Sequence, residues 1–75
     1  MTPLETVLGV RNVIAEILGY GGPEADSEAL YVGSTLDPGF KREFWQWLGE
    51  HDPILQARLR AAGKRVKARE AVDAA

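Results

Sequence analysis

Apolar residues recur at helical spacing through residues 4–18: Leu4, Val7, Leu8, Val10, Ile14, Ala15, Ile17 and Leu18. At about 100° per residue they cover more than half of a helix circumference. Glu5, Asn12 and Glu16 are left as a narrow polar stripe, with Gly9 beside it. An arc this wide predicts burial on more than one side, either as a central helix or as a self-association surface. Thr2 as N-cap, Pro3 in the first turn and Glu5 as the capping-box acid predict a helix over 3–18, with Gly19 as its left-handed cap. Arg11 projects into the apolar arc. It either snorkels or pairs with an acid of the next segment, or it is an arginine buried against a partner.

The run Gly19-Tyr20-Gly21-Gly22-Pro23 is a turn. Residues 23–32 read as a short helix, with Pro23 first, Glu24, Asp26 and Glu28 towards the amino end, and Gly33 as stop. A strand over Ala29–Val32 is the alternative. The helix is preferred because acids complement the helix dipole and a lone strand has no partner.

The segment Asp37–Asp52 holds both phenylalanines and both tryptophans. Asp37-Pro38 opens it and Asp52-Pro53 opens the next helix; Asp accepts orphan amide protons and Pro has no amide to leave orphaned. Phe40, Phe44, Trp47 and Leu48 share one face of a helix over 38–49 and are expected to form the core. Trp45 lies off that face, over Lys41, as a second buried surface or an exposed anchor for a partner. A last helix over 53–70 carries a narrow apolar seam (Leu55, Leu59, Ala62, Val66), with Ile54, Ala57 and Ala61 as a small second face. Gly63 weakens its middle, and beyond it only Val66 and Val72 are large and apolar, so the end is expected to fray or to need an external partner. The expected fold is all-α: one domain over residues 1–75, a small bundle of three to four helices with a basic C-terminal helix.

Charge sharpens this picture. Residues 1–53 carry three cations against nine acids, net −6, whereas residues 54–75 carry six against two, net +4. A basic arm of this kind seeks an acidic partner, its own body included. Its cations form two stripes: Arg58, Arg65 and Arg69 on one side of the seam, Arg60, Lys64 and Lys67 further round. The chain has no cysteine, which removes disulfides and thiolate metal sites and favours a reducing, cytoplasmic setting. Residues 4–18 are too short and too charged to cross a membrane, and the amino end lacks the basic region of a signal peptide.

Little in the chain suggests catalysis. His51, the single histidine, sits between Glu50 and Asp52, and consecutive residues rarely converge on one metal. The glycine-rich turn leads into no Lys-Ser or Lys-Thr of a phosphate loop. Gly33-Ser34-Thr35 lacks the frame of a nucleophile elbow. No catalytic, cofactor or metal-binding residue is assigned.

Tyr31-Val32-Gly33-Ser34-Thr35, followed by Arg42 and Glu50-His51, resembles the second half of the GIY-YIG nuclease motif, and Tyr20 stands where the first motif tyrosine would. The resemblance implies a strand at Tyr31, a helix with Arg42 as catalytic arginine and a later glutamate on a divalent metal. It covers under a third of the chain and lacks hydrophobic alternation ahead of Tyr31. It is the remote alternative.

The leading expectation is a non-catalytic helical protein–protein interaction module: a small subunit, adaptor or inhibitor of a larger assembly, or a self-associating protein. Arg11, Lys41, Trp45, Arg58, Arg60, Lys64, Arg65, Lys67 and Arg69 are its candidate partner-binding residues. The alternative is a helix-turn-helix-like nucleic-acid binder presenting Gln56, Arg60, Lys64 and Lys67. Glu50 and Asp52 at the amino end of that helix oppose a phosphate backbone. A membrane partner is not expected, because the apolar face of the arm is mostly alanine.

Overall fold

The computed structural model describes residues 3–74, which form four helices: α1 (Leu4–Tyr20), α2 (Gly22–Ser34), α3 (Pro38–His51) and α4 (Pro53–Ala74). Among the described residues there is no strand, so the expected all-α bundle is what the chain forms. The Tyr31–Ser34 segment lies on α2, which removes the strand that the nuclease resemblance requires. Among the described residues no helix is long and apolar enough to cross a membrane.

Two of the helix starts follow the Asp-Pro logic directly. Asp37 Oδ2 accepts from the Gly39 and Phe40 amides at 3.1 and 3.4 Å, and Asp52 Oδ1 accepts from the Leu55 amide at 3.2 Å. Thr2, the expected cap of α1, lies outside the described residues. At the other end of α1 the expected glycine is displaced. Gly19 remains helical and the chain turns at Gly21 (φ +74°) and Gly22 (φ +88°), with the Gly21 amide donating to the Leu18 carbonyl. A left-handed conformation is open to either glycine position, but placing it after Tyr20 lets Leu18 finish the buried stripe.

That stripe is Val7, Ile14 and Leu18, narrower than the apolar arc. Leu4, Leu8 and Val13 stay at the surface, 59, 39 and 46% exposed, so the chain does not bury α1 on more than one side. The helical reading of α2 holds because Ala25, Asp26 and Ala29 form a small-residue face that packs closely, chiefly on α4 and next on α1. Gly33 does not stop it. The helix ends at Ser34, where the Ser34 and Thr35 hydroxyls donate to the Tyr31 and Val32 carbonyls, each at 2.8 Å.

The core joins Ile14, Ala29, Phe44, Leu48, Leu55 and Ala62 across all four helices. Each large apolar side chain fully buried contributes roughly 1.5–3 kcal/mol. Of the four aromatic-helix residues expected inside, Phe44 and Leu48 are buried. Phe40 and Trp47 are only half-buried: Phe40 stacks on Phe44 (centroids 6.0 Å, planes 9° apart), and Trp47 lies against the His51 ring at 5.0 Å. The α3 face turns partly to solvent because α3 leans on α4 alone for most of its contacts.

The end of α4 departs most from expectation. The helix runs on to Ala74 and its far half is held by the chain itself. Arg65 donates from Nε and Nη2 to Asp26 Oδ2 and Oδ1, at 2.8 and 2.9 Å, and Arg69 reaches the Pro23 carbonyl at 3.3 Å. Apolar contact is replaced there by a two-pronged arginine fork, a geometry that a planar guanidinium suits.

A candidate docking groove with a cationic rim

Between α2, α3 and α4 lies a groove of about 360 Å³. The buried Ile14, Ala29 and Phe44 form its base, and Leu30, Leu36 and Leu59 its walls. Trp45, Lys41 and Arg60 also line it, as do Gly33, Ser34 and Gly63. The volume sits near the lower end of the roughly 300–1,000 Å³ typical of ligand clefts.

Trp45 is positioned by two residues of α4. The Arg60 guanidinium stands 5.4 Å from the centroid of its ring, a cation–π arrangement, and the Gln56 side-chain amide donates to the Trp45 carbonyl at 3.1 Å. Gln56 has room because position 49 is glycine: a Cβ there would stand 3.0 Å from its Nε2. Trp45 is therefore half-buried, with one part on the core and another in the groove. The core reading describes the part of Trp45 that packs on the cluster; its remainder lines the groove.

The nine candidate partner-binding residues divide into groups. Lys41, Trp45 and Arg60 are brought together at the groove. Lys64 and Lys67 continue from Arg60 along α4, exposed and without an ion pair among the described residues. Arg58 is exposed elsewhere on α4. Arg65 and Arg69 bond to the start of α2, Arg65 while remaining exposed. Arg11 is paired within the chain, with the acid that opens α4 in place of one in the next segment: its Nε and Nη2 both donate to Asp52 Oδ2, at 3.0 and 2.8 Å.

The internal pairs are visible in the acid–base balance. The Arg65 fork holds the Asp26 carboxyl below the usual aspartate range, against the opposing effect of burial. Asp26 in turn raises Arg65. Asp52 is lowered first by Arg11 and then by the Leu55 amide. No buried side-chain nitrogen or oxygen among the described residues lacks a hydrogen-bond partner.

For chemistry the described residues offer little. His51 Nε2 is 3.9 Å from Glu50 Oε2, both exposed, and no three His, Cys, Asp or Glu side chains gather as metal ligands among the described residues. Sequence reasoning missed the walls of the groove. The available signal was a glycine in the interior of α4, Gly63, and one at the end of α2, Gly33, both of which line it. The chain matches no protein-family model, and neither a curated protein nor a solved structure shows significant similarity to it.

Proposed function

We propose that the chain is a non-catalytic helical protein–protein interaction module, a small subunit or adaptor that docks through the groove at Trp45. The observation that carries this reading is an apolar groove with a tryptophan and an arginine at its edge. Those two residue types, with tyrosine, are the ones most enriched among binding hot spots. The exposed cations Arg60, Lys64 and Lys67 extend the same surface.

The test compares full-length wild type with Trp45→Ala as bait in the native host lysate, after matching their urea unfolding. Wild type is expected to retain a partner that Trp45→Ala loses, with a smaller effect on the unfolding midpoint. Identical retained proteins, or a loss of stability in place of binding, would overturn the reading. A nucleic-acid reading draws on Gln56, Arg60, Lys64 and Lys67; with the Gln56 side-chain amide donating to the Trp45 carbonyl, it rests on the three cations. Three phosphate contacts on duplex DNA give a log K against log[salt] slope of about −2.7, which a gel-shift series checks.

A further inference from the structure

We propose, resting on the interaction reading above, that the occupant of the groove is an acidic amphipathic helix of another protein. The apolar base takes the apolar face of such a helix, and the rim selects its charge. Lys41 and Arg60 stand at the groove itself. From Arg60 the cations recur at Lys64 and Lys67, the i, i+4, i+7 spacing of one helix stripe. That ridge runs about 10 Å along α4. A small molecule with one carboxylate meets one of these cations, whereas a helix with acids at the same spacing meets the series. The described residues offer no sheet edge for strand addition, and an apolar groove flanked by a helical stripe of cations suits helix-in-groove docking.

Two glycines support this occupant. Glycine weakens a helix interior relative to alanine, which bears on Gly63 in the middle of α4; Gly33 is the penultimate residue of α2. A Cβ on Gly33 would nevertheless meet nothing within 4 Å, and one on Gly63 would meet only Leu30 Cδ2 at an ordinary 3.8 Å. Packing within the chain requires neither glycine, and both are half-buried at the groove. Their missing methyl groups let another helix approach more closely.

The probe is a synthetic alanine-based helix of about 20 residues, long enough to hold helical structure, with leucines at i, i+4 and i+7 flanked by glutamates. A second peptide replaces every glutamate by lysine. Calorimetric titration into the full chain is expected to show saturable binding of the acidic peptide, at least about tenfold tighter than the basic one. Arg60→Glu is expected to reverse that preference, and Lys64→Glu, at an exposed position, gives the same direction should Arg60→Glu fail to fold. Gly33→Ala and Gly63→Ala are expected to weaken binding while raising the unfolding midpoint. Equal or tighter binding of the basic peptide, or no saturation with the acidic one, overturns the acidic-helix assignment; the broader reading is decided separately by Trp45→Ala. Tighter binding of a duplex oligonucleotide than of the acidic peptide also overturns it. Dimerisation of the chain alone by light scattering, if abolished by Arg60→Glu, overturns it in favour of a second copy.

Discussion

The two halves of α4 are attached to the molecule by different physics. From Pro53 to Ala62 the helix is seated by burial, with Leu55 and Ala62 in the core and Leu59 half-buried behind them. Beyond Gly63 none of the described side chains of α4 is buried; Arg65 and Arg69 fasten that half to the start of α2. Apolar contact is insensitive to pH and tolerant of small shifts in angle. A guanidinium fork is directional and depends on the charge of its acid. The two halves should therefore fail separately.

The largest test of that difference is Leu55→Ala. Emptying this core site is expected to cost about 2–5 kcal/mol across the whole molecule, read as a lower urea midpoint with an unchanged slope. Next comes Arg65→Ala. Amide exchange in residues 66–72 is expected to speed up by about tenfold or more, while residues 55–62 keep their protection. Equal acceleration in both halves would show that α4 opens as one unit and would erase the distinction.

Acid separates the halves without mutation. Asp26 and Asp52 are both lowered on folding, so their pairs contribute fully above the ordinary aspartate value of about 3.9. That contribution is lost as pH falls through the lower folded values. Stability carried by these carboxylates is thus expected to be flat near neutrality and to decline only below about pH 4, with the far half of α4 losing protection before Ala62 does; the Leu55 amide, bonded to Asp52 itself, is not the reporter to use. The smallest effect is Gly63→Ala, at the boundary between the halves, expected to stabilise by up to about 1 kcal/mol and to reduce their independence.

Local features were the legible ones. Asp37 and Asp52 announce their helices because capping is settled within three residues. Periodicity likewise finds Phe44, Leu48 and Leu55. It overstates α1, since it reports how much apolar surface a helix offers and says nothing of how much its neighbours cover. Charge asymmetry pointed to an acidic partner for the basic arm, yet the acid it meets is 39 residues away from Arg65. No local pattern distinguishes Asp26 from Glu24 or Glu28; only the small-residue face of α2 brings it against α4. The groove was illegible for the same reason, being a space between three helices that no single one encodes. Trp45 could be recognised as out of place, but its half-burial depends on Arg60 lying over it.

Asp52 carries a consequence for the order in which the chain assembles. One oxygen bonds the Leu55 amide, three residues away, and the other receives Arg11, 41 residues away. The first contact closes almost no loop and is available as soon as α4 begins to wind; the second must wait for the ends of a long loop to meet. A single carboxylate thus closes one very short loop and one very long one. Arg11→Ala, which removes only the far contact, is expected to speed unfolding more than it slows folding, a split that stopped-flow kinetics in urea checks.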